Sequence, residues 1–441
     1  MTTIETTGTG GVPLRLRIEE LGRDGDGIAT TPEGRGFVRG GLPGEIVEAS
    51  PLDGRHLLAT GIIEPSPFRV EPPCSLFGRC GGCVVQHLHP AEALRWKTGL
   101  VASALTRAGF VLPAQIGRHQ TLPRTRRRMD LAIRRAGALL LLGLHERGSD
   151  RVVSLTECHV LVPELFALIQ PLRAVLGSLE GLRRTGTLLV NLLDSGPDLL
   201  LGTDRRLSNA DRSRLAGFAA DHGIRRIAWQ PAGGGTPEPV SVAGPVHHRF
   251  GGIETSPPPG AFLQATADGE QAIVAAVLDA LPANAPRSRR AVDLYAGCGT
   301  ISLPLSDRVR TEAAEGHAYA AACLQAAAGG RRLSVQQRDL NRQPLMPREL
   351  NGAEMVVLDP PHAGAGAQIA PLCASDVARV AYVSCNPAAL EKDASFLAAA
   401  GFSLSAVTVI DQFLWSANVE SVCVFTRKPA KRHGPLPRPA R

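Results

Sequence analysis

Short apolar runs separated by glycines fill the first 70 positions of the chain. Residues 14–18 alternate between hydrophobic and charged side chains, and brief apolar runs follow at 36–38 and 45–47. Alternation with a period of two is typical of strands that bury one face, and several such strands between turn residues favour a small β-barrel. We therefore predict a barrel domain over residues 12–70.

The middle of the chain has a mixed pattern. Apolar residues recur every three or four positions over residues 91–108, which predicts an amphipathic helix. From there to about residue 245, short strand patterns and short helical patterns follow one another, as in an α+β domain. The run Pro-Pro-Pro-Gly at residues 257–260 breaks both kinds of element. We predict a central α+β domain over residues 71–260.

Strands and helices alternate in the last part of the chain. Strand-like apolar runs occupy residues 291–295, 355–358, 380–383, 407–410 and 419–425, and helical patterns occupy residues 267–281, 317–328 and 391–400. This alternation predicts a parallel sheet covered on both faces. We expect an α/β domain over residues 261–428, followed by a basic, Pro-rich and disordered tail over residues 429–441.

Charge and cysteine content bear on the partner and the compartment. Lys and Arg number 48 against 41 Asp and Glu, so the formal net charge is +7, which fits a polyanionic partner. Residues 1–11 lack the pattern of a secretory signal, and the longest apolar run, residues 138–143, is too short to span a bilayer. The nine cysteines are unevenly spaced, which argues against a disulfide framework. We predict a cytoplasmic protein.

Arginines cluster at the start of the central domain. The cluster contains Arg124, Arg126, Arg127, Arg128, Arg134 and Arg135. Such a segment could grip the phosphates of a nucleic acid, or it could form an ordinary solvated face. The sequence leaves both interpretations open.

A glycine turn and several acids mark the ends of the predicted C-terminal strands. The segment Asp293-Leu-Tyr-Ala-Gly-Cys-Gly-Thr joins a strand to a helix but lacks the third glycine of the dinucleotide fingerprint, which favours S-adenosylmethionine over NAD. Glu315 could accept the ribose hydroxyls, although Glu312 competes for that role and either could be a surface acid. Asp339 and Asp359 follow at later strand ends. This series favours a class I, Rossmann-like methyltransferase domain.

A thiol follows the strand predicted at residues 380–383. Cys385 lies in Ser-Cys-Asn-Pro, at the end of a strand where open α/β sheets hold their active sites. A thiolate is well suited to adding to an electron-poor double bond. Taken alone, a cysteine is more often a small buried hydrophobic residue.

A second group of thiols lies between the barrel and the central domain. Cys74, Cys80 and Cys83, with a distant fourth cysteine, could hold zinc or an iron–sulfur cluster. The Cys-x2-Cys pair alone favours zinc, and the wider first gap favours a cluster. The Cys-x3-Cys-x2-Cys spacing of radical S-adenosylmethionine enzymes is absent from these positions.

Together these segments resemble the bacterial RNA (uracil-5-)-methyltransferases, and in particular the branch that acts on 23S rRNA. The resemblance rests on the glycine motif that starts at Asp293, on Asp359-Pro-Pro, on Ser384-Cys-Asn-Pro and on Val419-Glu-Ser. It extends to the cysteine spacing and to the barrel, which is similar to the RNA-binding TRAM domain of that branch. It implies an enzyme that uses S-adenosyl-L-methionine to methylate C5 of uridine in RNA, with no membrane partner, and we expect a monomer.

The resemblance also implies roles for individual residues. Cys385 would be the nucleophile that adds to C6 of the base, and Glu420 would be the base that removes the C5 proton. The implied cofactor contacts are Gln264, Tyr295, Thr300, Glu315, Asp339 and Asp359. The implied ligands of a [4Fe-4S] cluster are Cys74, Cys80, Cys83 and Cys158.

Three departures from the family pattern accompany the match. His362 follows Asp-Pro-Pro where the family usually has Arg, Asn418 replaces a common His, and Phe413-Leu-Trp replaces a Pro-rich segment. They put the positioning of the site and the choice of substrate in question. Two alternatives stay open: the same reaction on tRNA, and a non-catalytic RNA-binding assembly factor.

Overall fold

The computed structural model describes residues 13–137, 139–283 and 285–428. The tail predicted over residues 429–441 lies outside the described residues. Four β-sheets of six, seven, two and eight strands, with helices packed on the larger ones, make up the described fold. No helix within these ranges is both long enough and apolar enough to cross a membrane.

The N-terminal sheet closes into a barrel because one stretch of chain supplies both of its edges. Its strands are β1 (Leu14–Arg17), β2 (Glu20–Leu21), β3 (Gly27–Thr31), β4 (Gly34–Arg39), β5 (Ile46–Asp53) and β6 (His56–Glu64). The order is β1-β5-β6-β4-β3-β2, so β1 pairs with β5 and β2 pairs with β3. At the bend between them, the backbone N–H groups of Ile18 and Glu19 donate to the carbonyls of Glu45 and Ile28, at 2.9 and 2.8 Å. The predicted β-barrel is confirmed.

The predicted amphipathic helix is α1 (Pro90–Arg107), and it is followed by the short strand β7 (Gly117–Gln120). Val101 and Leu105 on its apolar face are buried in the same core as Val292 and Val356 of the C-terminal sheet. The helix therefore packs on the C-terminal sheet, although the central strands separate the two in the chain.

The central sheet has seven strands in the order β10-β9-β8-β11-β12-β13-β14. Its strands are β8 (Arg128–Ala136), β9 (Leu139–His145), β10 (Val152–Ser154), β11 (Thr185–Leu193), β12 (Gly196–Thr203), β13 (Arg226–Pro231) and β14 (Glu238–Val242). Helices α2 (Pro163–Phe166), α3 (Ile169–Gly177) and α4 (Asn209–Asp221) contribute buried residues to the same core. Trp229 is buried at its centre, where its indole N–H donates to the Thr203 hydroxyl at 2.7 Å. A small hairpin, β15 (His248–Phe250) and β16 (Ile253–Thr255), leads to the C-terminal part.

The C-terminal sheet has eight strands in the order β19-β18-β17-β20-β21-β23-β22-β7. Its remaining strands are β17 (Arg290–Leu294), β18 (Arg310–Glu315), β19 (Leu333–Gln337), β20 (Met355–Leu358), β21 (Arg379–Ser384), β22 (Ser403–Asp411) and β23 (Glu420–Thr426). The helices are α5 (Ala267–Asp279), α6 (Ser302–Ser306), α7 (Ala318–Ala327), α8 (Pro347–Leu350), α9 (Ile369–Ala374) and α10 (Pro387–Ala399), with a 3-10 helix at Gly366–Gln368.

The α/β fold class is confirmed, with a difference in strand direction. Strands β17 to β21 are parallel, whereas β23 runs antiparallel to both of its neighbours. An apolar run marks a buried strand but carries no information on its direction. Strand β7 pairs in parallel with β22, and its polar sequence, Gly-Arg-His-Gln, gives no sign of this pairing.

A buried ion pair joins α1 to the far end of the C-terminal sheet. The ammonium of Lys97 lies 2.5 Å from a carboxylate oxygen of Asp411, and both side chains are fully buried. The same ammonium donates to the carbonyl of Phe413 at 2.9 Å. Gln120 of β7 donates to the second carboxylate oxygen of Asp411 at 3.1 Å. One cation and one anion thus fix α1, β7 and β22 to each other.

We expect Lys97→Met to lower the free energy of unfolding by about 3–5 kcal/mol, because Asp411 would be left as an uncompensated buried charge. Urea denaturation followed by circular dichroism measures the change. The matched control is Arg95→Met on the same helix, which removes an ion pair to Glu92 whose arginine is 65% exposed. That control should shift stability by no more than about 0.5 kcal/mol. Equal effects of the two variants would show that the buried pair between Lys97 and Asp411 stabilises the fold no more than the exposed pair does.

Candidate active site

A cavity of about 750 Å³ opens at the carboxyl ends of the parallel strands of the C-terminal sheet. The predicted site residues that line it are Gln264, Tyr295, Thr300, Glu315, Asp359, Cys385 and Glu420. They come from six separate stretches of the chain, and the strand ends bring them to one place. Asp339 follows β19 as predicted, but it is not among the residues that line this cavity.

The glycine turn after β17 is braced by Glu315. One carboxylate oxygen of Glu315 accepts the backbone N–H of Gly297 at 2.8 Å, and the other accepts the N–H of His317 at 2.6 Å. Tyr295 begins the turn with a φ of +64°, a conformation that a non-glycine residue adopts only when its surroundings hold it. Its hydroxyl donates to the carbonyl of Ala365 at 2.7 Å.

The competing acid has a different role. Glu312 faces Arg290 at 2.7 Å and also pairs with Arg310, and it does not line the cavity. It therefore behaves as a partly exposed ion-pairing residue. Asp339 lies beside the Glu315 loop, where its carboxylate accepts the N–H of Asn341 at 3.0 Å.

Acids without cationic partners give the cavity its electrostatic character. Asp293 is fully buried, and burial raises its pKa to about 7, with one carboxylate oxygen left without a hydrogen bond. Burial likewise raises the pKa of Asp359 to about 7. Among the described residues that line the cavity there is no Lys or Arg. A cationic ligand would relieve the cost of ionising these acids, so the donor set fits the methylsulfonium of S-adenosylmethionine.

Cys385 follows β21 directly and lies near the carboxylates of Glu420 and Asp359. Burial raises the pKa of its thiol to about 12, and the negative charges of Glu420 and Asp359 add to the effect. The next residue, Asn386, caps α10 by accepting the N–H of Ala388 at 3.0 Å. Asn386 also donates to the carbonyl of His362 at 2.9 Å, so the residue in place of the family arginine helps to hold the Cys385 loop.

Glu420 begins β23 and is linked to Asp359 through two amides. Gln412 donates one hydrogen bond to the Glu420 carboxylate at 3.1 Å and another to the side-chain oxygen of Gln264 at 2.7 Å. Gln264 in turn donates to Asp359 at 3.4 Å. Burial and the charge of Asp359 raise the pKa of Glu420 well above its usual value, against the opposing effect of the Gln412 hydrogen bond. Gln412 could not be predicted from the sequence, because one glutamine after an apolar strand carries no recognisable spacing.

The loop of residues 412–418 separates the active-site cavity from the cysteines. The carbonyl of Trp415, a residue with a φ of +63°, accepts the N–H groups of Val84 and Val85 at 2.7 and 3.0 Å. Phe413 lines both cavities, and Asn418 lines only the one on the cysteine side. Of the residues that depart from the family pattern, Phe413 therefore lies between the two cavities, whereas His362 lines neither.

Only part of the arginine segment faces outward. Arg127 is buried, where it donates to Glu270 at 2.6 Å and to the carbonyl of Gln264 at 3.2 Å. Arg135 donates to backbone carbonyls of residues 176, 177 and 182. For these two arginines, both the phosphate-grip and the solvated-face interpretation are wrong, since internal acceptors hold their guanidinium groups. Arg128 lies over the exposed ring of Phe262, 5.4 Å from its centroid, at the cavity wall.

The four predicted cluster ligands line a second cavity of about 910 Å³. Burial raises the pKa of the Cys74 thiol to about 11 and of the Cys83 thiol to about 12, and the other thiols of the set add to the shift. Within the described ranges, no three His, Cys, Asp or Glu side chains are arranged to hold a single metal ion. The geometry therefore gives no support to a zinc site, and it does not show the [4Fe-4S] cluster that the resemblance implies.

We expect Glu420→Gln to speed alkylation of Cys385 at pH 8, because removing the neighbouring negative charge lowers the pKa of the thiol. The rate of iodoacetamide labelling, followed by peptide mass spectrometry, should rise by up to about tenfold for each unit by which the pKa falls. Cys373, a half-buried thiol outside the cavity, serves as the internal reference. An unchanged or slower rate at Cys385 would show that Glu420 does not act on the thiol.

Comparison with known proteins agrees with this geometry. A family model described as tRNA (Uracil-5-)-methyltransferase matches residues 334–428. The chain is 35% identical to an uncharacterized RNA methyltransferase of Mesorhizobium japonicum, over 95% of this chain and 99% of the relative. It is 33% identical to the 23S rRNA (uracil(1939)-C(5))-methyltransferase RlmD of Erwinia tasmaniensis, over 94% of this chain and 96% of the relative.

The fold has a similar counterpart among solved structures. The tRNA (uracil-54, C5)-methyltransferase of Pyrococcus abyssi, in complex with S-adenosyl-L-homocysteine, superimposes with a TM-score of 0.71 at 18% identity, over 94% of this chain and 100% of that chain. At that identity the likeness concerns the fold. Full-length matches above 30% identity establish more: the chain belongs to the family of S-adenosylmethionine-dependent RNA (uracil-5-)-methyltransferases and is an enzyme.

Proposed function

We propose that this enzyme methylates C5 of a uridine in 23S rRNA through a covalent bond between Cys385 and C6 of the base. The observation that carries the proposal is the meeting of Cys385, Glu420 and Asp359 in one cavity with the residues of the glycine turn. A thiol beside a cofactor pocket provides a nucleophile that acts before methyl transfer. A carboxylate there provides a base that acts after methyl transfer.

The chemistry of uracil explains why both groups are needed. C5 alone is too weak a nucleophile to take a methyl group, so the Cys385 thiolate first adds to C6 and makes C5 electron-rich. S-adenosylmethionine, when bound, supplies the electrophilic methyl group. Glu420 then accepts the C5 proton, the C5–H electron pair forms the C5–C6 double bond, and the C6–S bond breaks with its electrons returning to Cys385.

The raised pKa of the Cys385 thiol bears on the first of these steps. A thiol whose pKa is about 12 is almost wholly protonated at neutral pH, so its proton passes to O4 of the uracil ring as the bond to C6 forms, and leaves O4 for solvent when C5 takes the methyl group. The raised pKa of Glu420 suits the later step, because a carboxylate with a raised pKa is the stronger base. Burial therefore strengthens the base, and it makes a proton acceptor necessary for the nucleophile.

Cofactor contacts follow from the lining of the cavity. We propose that Gln264, Tyr295, Thr300, Glu315 and Asp359 hold S-adenosylmethionine, with Asp339 behind Glu315 as an outer contact. The acidic lining supports a cationic cofactor, and the turn braced by Glu315 supports a close backbone approach.

The choice of 23S rRNA over tRNA rests on the relatives. The Erwinia tasmaniensis relative carries that substrate in its name and matches 94% of this chain. The target base must leave its stack to reach Cys385, so a flipped base or a single-stranded loop is required. Action on tRNA is the alternative, and a covalent trap with 5-fluorouridine RNA tests both substrates. The monomeric state and the cytoplasmic location stay predictions.

We further propose that residues 12–70 form a TRAM-type RNA-binding domain, that residues 71–260 form the central domain, and that residues 261–428 carry the catalytic site. The barrel adjoins the cysteine cavity, where Arg147 of the central sheet meets Asp26 of the barrel at 2.7 Å. That cavity is lined by residues of the barrel and of the 412–418 loop, so the two parts lie next to each other.

An iron–sulfur cluster in the cysteine cavity is also part of the proposal. Cys74, Cys80, Cys83 and Cys158 supply the four thiolates that a [4Fe-4S] cluster requires. Such a cluster bonds each thiolate to a different iron, so its ligands stand farther apart than those of one metal ion. The raised thiol pKa values fit a set that ionises only when a cation neutralises it. A cluster there would hold the chain near the 412–418 loop, with no redox step in methyl transfer.

A covalent trap tests the reaction. RNA containing 5-fluorouridine should give a methylated protein–RNA adduct that survives a denaturing gel, because fluorine cannot leave as a proton. Cys385→Ala should abolish the adduct, whereas the matched variant Cys373→Ala, outside the cavity, should leave it intact. Mapping the adduct on 23S rRNA and on tRNA identifies the substrate. Failure of the full-length protein to form an adduct on either RNA would sink the catalytic proposal in favour of a binding factor.

The cluster has its own test. Protein purified without oxygen and reconstituted with iron and sulfide should show the broad visible absorption of iron–sulfur clusters and about four irons per chain. Cys158→Ser should lower the iron content, and the buried Cys423→Ser, outside the set, should not. Stoichiometric zinc, or no metal in the reconstituted protein, would count against the cluster.

A further inference from the structure

Gln412 is a buried amide between the proposed base and the cofactor side of the active site. Its side chain is 1% exposed, and its amide nitrogen bridges the oxygen of Gln264, at 2.7 Å, and the Glu420 carboxylate, at 3.1 Å. One amide group thus serves two acceptors that belong to different segments of the chain.

The two acids at the ends fix the polarity of this chain of hydrogen bonds. When both acids are ionised they only accept, so Gln264 then turns its nitrogen to Asp359 and its oxygen to Gln412. Gln412 in turn directs its nitrogen to both Gln264 and Glu420. The arrangement leaves one oxygen of Glu420, and the amide oxygen of Gln412, buried and without a partner. Of the two Glu420 oxygens, that one has no hydrogen bond and is left to accept a proton.

Lys97 holds the residues on both sides of Gln412 in place. Its ammonium holds the Asp411 carboxylate at 2.5 Å and the Phe413 carbonyl at 2.9 Å. Helix α5 presses on the same side chain, since a Cβ added at Gly269 would lie 2.7 Å from Cβ of Gln412. The amide therefore has little freedom to turn away from Glu420.

We propose that Gln412 is a positioning residue for the base: it holds one oxygen of Glu420 so that the other faces the C5 proton of the methylated adduct. The inference rests on the proposed function and adds to it a residue that acts on the last step through Glu420. In that step the C5 proton passes to Glu420, the C5–H electrons form the C5–C6 double bond, and Cys385 leaves C6 with the C6–S pair.

The hydrogen bond also affects the ionisation of the base. A donor to a carboxylate favours its charged form, so loss of Gln412 raises the pKa of Glu420 further. Of the other groups near Glu420, Asp359 acts in the same direction, the Cys385 thiol is uncharged because its own pKa is raised to about 12, and Lys97 is already paired with Asp411. Without Gln412, the carboxylate should therefore ionise only at higher pH.

Gln412→Met tests the inference because methionine has a similar volume and no donor. Single turnovers with methyl-labelled cofactor and unmodified 23S rRNA transcripts separate methyl transfer from product release. Methyl transfer to the RNA should stay within about threefold of the wild type. Release should slow by about 10- to 100-fold, the range expected for losing a hydrogen bond to a charged group, so that a denaturation-resistant methylated adduct accumulates. The rising limb of the release rate should move to higher pH.

A second variant and a control keep the outcomes separate. Gly269→Ala should displace the Gln412 side chain and give the same accumulation, which decides the question if Gln412→Met does not fold. Gln368→Leu removes a buried amide that bonds only to the backbone of Leu345, so it should lower stability without accumulating adduct. Release and pH dependence like the wild type in both test variants would overturn the inference. A wild type that transfers no methyl group to either RNA would overturn the proposed function instead.

Discussion

The buried ion pair between Lys97 and Asp411 is the contact on which the arrangement of this enzyme depends. It joins residues 314 positions apart, and the side chains on both sides are fully buried. Charges in such a place persist only when their hydrogen-bonding capacity is met, and here Gln120 and the Phe413 carbonyl complete the set. Because Asp411 and Phe413 flank Gln412, the ion pair that joins α1 to the edge of the sheet also helps to direct the Gln412 side chain towards Glu420.

A single constraint, the exclusion of water, sets the chemical properties of the active site. Asp293, Asp359 and Glu420 share a cavity in which the described lining supplies no Lys or Arg, and burial raises the pKa of each. The amides of Gln264 and Gln412 stabilise Asp359 and Glu420, respectively, without neutralising them. Ionising these buried acids is costly without a cation in the cavity, and a positive group that binds there lowers that cost. The charge distribution alone therefore favours a sulfonium ligand, independently of the shape of the cavity.

The sequence predicted the parts of this molecule that depend on short-range pattern. Apolar runs located five of the eight strands of the C-terminal sheet within a few residues, and the strand ends located Cys385 and Asp359 in one cavity. Parts that depend on distant partners escaped it. Lys97 lies at helical spacing from Leu94 and Val101, yet its charge suggests exposure, and only Asp411 explains its burial. Arg127 escaped for the same reason, since Glu270 is its partner.

The pairing of β7 with β22 has a consequence for how the chain is made. Residues 117–120 leave the ribosome about 290 residues before their partners at 408–411, which at cellular rates of synthesis is roughly 15–60 s. During that interval, the sheet that covers the apolar face of α1 and the edge of β7 has not yet been synthesised. The barrel and the central sheet, whose strands are all present by residue 242, can complete themselves first. The C-terminal sheet and its helices include elements made early in the chain but are completed last. The incomplete nascent chain therefore exposes apolar and unpaired strand surfaces that can make non-native contacts.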